Sequence, residues 1–210
     1  MKGSFITLEG IEGVGKTTNT SFIKNFLENS GKKVLVTREP GGTSFGENLR
    51  EIILEEKDYK LSIITECLIM FAARSQHIEE VIKPALSDDY YVVCDRFTDA
   101  TYAYQGGGRG LPKDVIDHLK YIVHPDLEPD LTIYLDAPEK ISFSRIEDRN
   151  KDSFEKEDLA FFKNVRSSYL EQASLHQDRI MIVDASNSLD EVQKDISHYL
   201  KVLLDRNSDV

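Results

Sequence analysis

Residues 10 to 17 read Gly10-Ile11-Glu12-Gly13-Val14-Gly15-Lys16-Thr17, which fits the spacing G-x-x-x-x-G-K-[ST]. In that spacing the backbone contributes as much chemistry as the side chains. Glycines let successive N–H groups turn inward around phosphate oxygens, and a helix that follows points the positive end of its dipole at the same place. Lys16 can then reach the outer phosphates and the Thr17 hydroxyl can ligate Mg²⁺, with Thr18 beside them in the first helical turn. Tight strand-to-helix turns also use glycine for geometry alone, so context decides. Here the apolar run Phe5-Ile6-Thr7-Leu8-Glu9 precedes the motif, and Phe22, Ile23, Phe26 and Leu27 follow it at helical spacing. The expected ligand is a nucleoside triphosphate. A second candidate is Asp95, which ends the run Tyr91-Val92-Val93-Cys94-Asp95 just before Arg96. A carboxylate after an apolar strand often serves only as a turn or a helix cap, but beside a phosphate loop it is placed to organise Mg²⁺.

The elements that must position these groups alternate along the chain. Apolar runs at residues 5–9, 33–37, 91–95, 131–136 and 179–184 are each followed by turn residues, and helical patterns run between them. Five strands alternating with helices predict a parallel α/β sheet with helices on both faces, built as one domain over residues 1–210. From residue 62 to 86 a long helical pattern contains seven consecutive apolar residues, 67–73, so its apolar side chains point all round the axis. Such a helix must be buried on more than one side; the core can cover one and a second subunit another, so a homodimer is expected. The charged stretch 147–158 reads as a solvated excursion between two helices.

The 210 residues are 40% hydrophobic, enough for one sizeable core, and the net charge of −11 argues against a nucleic-acid partner. Cys67 and Cys94 sit singly in apolar stretches and read as core residues in a reducing compartment. The N-terminal apolar run is too short for a signal-peptide core and no run approaches membrane-spanning length, so the expected location is the cytoplasm, away from membranes. The guanine-reading pattern N-K-x-D is absent, because Asn150-Lys151-Asp152-Ser153 carries Ser where the carboxylate belongs. A GTPase switch is therefore disfavoured.

Beyond the phosphate loop, the chain carries Thr37-Arg38-Glu39-Pro40-Gly41-Gly42-Thr43, Met70-Phe71-Ala72-Ala73-Arg74, Asp95-Arg96-Phe97 and Ala103-Tyr104-Gln105-Gly106-Gly107-Gly108-Arg109-Gly110. In this order, over roughly residues 3 to 205, these motifs resemble bacterial thymidylate kinase. The resemblance implies a P-loop NTPase fold with strand order 2-3-1-4-5, a lid at about 147–156, Mg²⁺ dependence, usually a homodimer, and phosphoryl transfer from ATP to dTMP. It implies that Gly10 through Thr18 hold ATP, that Arg96 and Arg38 grip the acceptor phosphate, and that Thr17 and Asp95 serve the metal. Phe71 matches the residue that stacks on thymine, and Arg74 the one that donates to its O4. Thr101 and Gln105 complete the thymine edge, Tyr104 crowds the sugar's 2′ position, and Glu12 lies near its 3′-hydroxyl.

One departure concerns the cation at the transferred phosphate. Where some relatives carry arginine in the phosphate loop, this chain has Gly13, so the lid must supply the charge. Its candidates are Arg149, then Arg145, then Lys151, while the pattern Asp-Arg-x-Glu found in lids appears as Asp152-Ser153-Phe154-Glu155. Two rival functions remain on the sequence. A deoxynucleoside kinase would need no grip on an acceptor phosphate, and a non-catalytic nucleotide-binding regulator would need no acceptor site.

Overall fold

The computed structural model describes residues 3–55, 59–145, 154 and 157–208. Strands β1 (Ser4–Glu9), β2 (Lys33–Arg38), β3 (Tyr90–Asp95), β4 (Leu131–Asp136) and β5 (Ile180–Asp184) form one parallel sheet of order β2-β3-β1-β4-β5. All five predicted strands are present, with ends shifted by at most one residue. Side chains alternate between the two faces, as strand geometry requires. Ile6, Leu8, Tyr91 and Val93 join the core that includes Ile23 and Leu27 of α1 (Lys16–Asn29) and Val192, Ile196 and Leu200 of α9 (Leu189–Ser208). Phe5, Val92 and Cys94 pack instead on Ile78 and Ile82. Each fully buried aliphatic or aromatic side chain contributes about 1.5–3 kcal/mol, so the two layers together clamp the sheet.

The remaining helices are α2 (Ser44–Leu54), α3 (Ile63–His77), α4 (Lys83–Ser87), α5 (Thr98–Thr101), α6 (Lys113–Val123), α7 (Glu139–Ser144) and α8 (Leu159–Leu175). The sequence-predicted helix over 62–86 is α3 running through a π-helical turn, Ile78–Ile82, into α4. Ser62 caps its start by accepting from the Thr65 N–H. One side of α3 is buried through Cys67, Phe71 and Arg74, whereas Ile63, Ile64 and Leu68 stay exposed. α6, which packs beside α3, exposes Tyr121 and Ile122. No helix among the described residues is long and apolar enough to cross a membrane.

A second π-helical turn, Tyr102–Gly108, continues α5 and packs closely on α8. The glycines make that approach feasible. A Cβ on Gly107 would lie 2.6 Å from Ser168 Cβ, and one on Gly108 2.5 Å from the Phe161 ring. The turn thereby brings the Tyr104 hydroxyl to Glu12, just past the end of β1, and the Gln105 amide to Glu66 of α3; π-helical insertions often re-aim functional side chains in this way.

Candidate functional site: a phosphate loop and an acceptor wall in one cavity

At the C-terminal ends of the parallel strands a cavity of about 680 Å³ is lined by Lys16, Thr17, Thr18, Arg38, Arg74, Asp95, Arg96, Tyr104 and Gln105, among others. Open parallel sheets place their ligand sites at this edge. The phosphate loop runs from β1 into α1. Gly15 occupies the left-handed region (φ 91°), and among the described residues no side chain caps α1, which leaves its first N–H groups to a ligand. Gly10 is required by close approach, since a Cβ there would lie 2.6 Å from the Leu135 carbonyl. Gly13 lies against the Ser142 carbonyl of α7 so tightly that any Cβ would collide with it.

Lys16 Nζ donates to the Gly10 and Ile11 carbonyls at 3.0 Å each, which folds its side chain back over the loop. Burial, then the Arg96 charge, pull its pKa below the ordinary lysine value against the pull of Asp95, Glu12 and Glu9. Asp95 and Thr17 line the cavity together, and the Asp95 Oδ1 is buried without a partner among the described residues. An orphaned carboxylate oxygen beside a hydroxyl fits a hard cation whose remaining ligands are phosphate oxygens and water. Ile11 and Val14, the apolar members of the loop, are buried in the main core.

Arg96 is held in a conformation that few non-glycine residues adopt, φ 72°, with its N–H on the Leu8 carbonyl. Its Nη2 donates to Glu12 Oε1 at 2.6 Å, and its guanidinium lies 4.8 Å from the Tyr104 ring centre. The Tyr104 hydroxyl donates to the same Glu12 carboxylate at 2.8 Å. Burial alone would raise the Glu12 pKa, but Arg96, Lys16 and Tyr104 outweigh it and hold the carboxyl below its ordinary range. Arg38 is more exposed and pairs with Glu47 at 2.8 Å. Arg50 of α2, donating to the Pro40 carbonyl, also lines the cavity; no motif marked it in the sequence.

Arg74 is buried. Its Nε donates to Glu39 Oε2 at 2.7 Å, and its Nη2 donates to the Phe97 carbonyl and to Thr101 Oγ1, both at 3.1 Å. Nη1 is buried with no partner among the described residues. Glu39 is held on its other oxygen by His77 Nδ1 at 3.0 Å, and His77 Nε2 lies 2.6 Å from Thr37 Oγ1. The sequence alone did not point to Glu39, His77 or Thr37 as the brace behind Arg74.

Phe71 is where the sequence expectation needs correction. It does not line the cavity: its ring is 2% exposed, within a cluster with Cys67, Tyr102 and Ile116, and the Arg74 guanidinium covers it at 4.8 Å. Met70 lines the cavity instead. Residues 70 and 74 are four apart and share one face of α3, whereas 71 is turned by about 100° toward the core stripe that it shares with Cys67. Thr101, Tyr104, Gln105 and Arg145 do line the cavity, and Arg145 Nη1 donates to the Ala185 carbonyl at 3.0 Å. Arg149, Lys151 and most of the expected lid, 147–156, lie outside the described residues, which include Phe154 of that stretch.

A family model described as thymidylate kinase matches residues 8–196. The chain belongs to the thymidylate kinase family. It is therefore a nucleoside monophosphate kinase, a phosphotransferase. Thymidylate kinase of Neisseria gonorrhoeae (strain NCCP11945) is 53% identical over 201 residues, covering 95% of this chain and 97% of the relative. That of Pseudomonas syringae pv. tomato is 50% identical over 206 residues, 98% of each chain. The crystal structure of thymidylate kinase from Ehrlichia chaffeensis superposes with a TM-score of 0.78 at 31% identity, covering 96% of this chain and 99% of that one. The strand order and the phosphate loop are thus those of a P-loop NTPase fold.

Proposed function

We propose that the protein transfers the γ-phosphate of ATP to the 5′-phosphate of dTMP, giving dTDP and ADP. The observation that carries this reading is a buried, unpartnered donor, Arg74 Nη1, on a residue that lines the same cavity as Lys16 of the phosphate loop. A donor left bare in a dry wall is costly unless a ligand carbonyl meets it. Arg74 then donates to thymine O4, with Met70 in place of Phe71 against the base and Thr101 and Gln105 completing its edge. Tyr104 excludes a 2′-hydroxyl sterically, and Glu12, already bound to Tyr104 and Arg96, lies near the 3′-hydroxyl. Arg96 and Arg38 neutralise the acceptor phosphate while Lys16 and the loop N–H groups hold the donor, which is the alignment and charge compensation phosphoryl transfer asks for. Thr17 and Asp95 are the residues that would hold Mg²⁺, which would supply charge neutralisation to the phosphates. Arg149 is the first candidate for the cation at the transferred group and Arg145 the second, because the latter's bond to Ala185 anchors it.

Measuring ADP release with dTMP, with thymidine and with neither separates this function from its rivals. Release only with dTMP is expected. Release with thymidine alone would make the protein a nucleoside kinase, and no stimulation by either would leave a nucleotide-binding regulator. Lys16→Ala is expected to cost about a hundredfold or more in turnover. In single turnover at saturating substrates, Arg149→Ala should cost at least about a hundredfold and Arg145→Ala far less. The exposed Ile63, Ile64 and Leu68 of α3 with Tyr121 and Ile122 of α6 form an apolar face that suits a homodimer, which sedimentation would test. ATP as co-substrate and two free, buried cysteines fit a cytoplasmic enzyme.

A further inference from the structure

Gln105 is 1% exposed yet lines the cavity, and a side-chain amide has two ends of opposite hydrogen-bonding sense. Which end faces the cavity decides what the cavity reads. The Gln105 Nε2 donates to Glu66 Oε1 at 2.8 Å, and its Oε1 carries no hydrogen bond among the described residues. Glu66, in the first turn of α3, is buried, and its second oxygen lies 3.6 Å from Arg109 Nε. Arg109 is in turn fixed: it pairs with Glu157, and its guanidinium lies 5.3 and 5.0 Å from the ring centres of Phe154 and Phe161. A carboxylate has only acceptors to offer, so it can pair with the NH₂ end of the amide and not with the carbonyl end.

We infer that Glu66 is a positioning residue for base specificity: by holding the Gln105 amide in one orientation, it turns an acceptor toward the cavity beside the Arg74 donor. The pair of acceptor and donor matches a pyrimidine whose N3 carries hydrogen and whose position 4 is a carbonyl. It mismatches an aminopyrimidine, which reverses both signs. The inference rests on the proposed function, in that a pyrimidine nucleotide must occupy this part of the cavity. It adds a residue that touches no substrate yet determines which base is accepted, through an orientation that the Gln105 side chain does not hold by itself.

Glu66→Gln keeps size and shape but removes the constraint, because an amide at position 66 can pair with either end of Gln105. The experiment measures kcat/KM for dTMP and for dCMP at saturating ATP, in the wild type and in Glu66→Gln, with KM for ATP as the internal control. Arg74 is the same in both proteins, so its own clash with the cytosine amine cancels. The dCMP-to-dTMP ratio is expected to rise about fivefold or more, the weight of one hydrogen bond, with KM for ATP within about twofold of wild type. In Glu66→Gln/Gln105→Glu, position 105 again offers only acceptors and pairs with the amide at 66, so the ratio should return toward wild type. A ratio that moves less than this in the single variant, equal losses for both acceptors, or a double variant that stays relaxed would each overturn the inference. Should Glu66→Gln fail to fold, Glu66→Met, similar in length and without an acceptor, is judged by the same ratio. Wild-type protein that does not turn over dTMP would refute the proposed function itself, whereas wild-type turnover with an unmoved ratio refutes only the role of Glu66.

Discussion

Replacing Arg74 by lysine separates its two duties. The guanidinium makes three hydrogen bonds to the wall, to Glu39, Phe97 and Thr101, and has Nη1 left over. Lysine keeps a positive charge for Glu39 but gathers its donors on one atom, so it cannot hold the wall and also reach a carbonyl in the cavity. The loss is one donor to a buried carbonyl, about 1–3 kcal/mol, or about 5- to 150-fold in kcat/KM for dTMP. Alanine would be a poorer test. It strips the main partner from Glu39, whose carboxyl burial would raise but Arg74 and His77 hold below its ordinary pKa. Breaking a buried pair in that way costs on the order of 3–5 kcal/mol of stability and would blur the kinetic reading. The assay is steady-state ADP production with dTMP varied at saturating ATP, then ATP varied at saturating dTMP, beside a thermal melt. Selective loss for dTMP is expected, with KM for ATP unchanged. If kcat/KM for dTMP stays within about twofold, or if both substrates suffer equally, Arg74 braces the wall and reads nothing.

Gly13→Ala should displace the phosphate loop, because φ is 80° and the new methyl would meet the Ser142 carbonyl. We expect a loss of about 1–3 kcal/mol in unfolding free energy and a marked fall in turnover. Gly31→Ala is the control: it shares a positive φ of 74° but a Cβ there would meet nothing within 4 Å among the described residues, so it should cost about 1 kcal/mol and leave kcat intact. His124 supplies a pH test. Burial, then the Arg74 charge, push its pKa from 6.5 down to about 4, and it pairs with Thr98 Oγ1 and the Leu127 carbonyl. The unfolded chain therefore takes up its proton first on acidification, so stability present above pH 6.5 is lost as pH falls toward 4. That displacement corresponds to about 3 kcal/mol. Urea unfolding at pH 7, 5 and 4 should show that loss shrinking in His124→Gln, and parallel curves for the two proteins would refute the assignment.

Strand positions, the phosphate loop and the order of motifs were legible in the sequence because each is a local pattern. Short apolar runs bounded by turn residues declare the strands of a sheet covered on both faces, and Gly10 through Thr17 declare a loop whose chemistry is mostly backbone. The family motifs likewise marked Arg74, Arg96, Tyr104 and Gln105 as a set. Only the tertiary structure decided how they act, since each is oriented by residues remote in the chain. Glu12 and Arg96 meet across 84 positions, Arg74 and Glu39 across 35, and Gln105 and Glu66 across 39. Periodicity indicated that α3 was apolar all round but could not say which stripe met the core. Met70 therefore lines the cavity where Phe71 was expected, a rotation of one residue that depends on what packs against each side of the helix. Arg50 and His77 carried no sequence signal, and Glu39, though inside a family motif, carried none for its pairing with Arg74. A charged side chain's role depends on its partners and its solvent exposure, and both are properties of the packed chain rather than of any short segment of it.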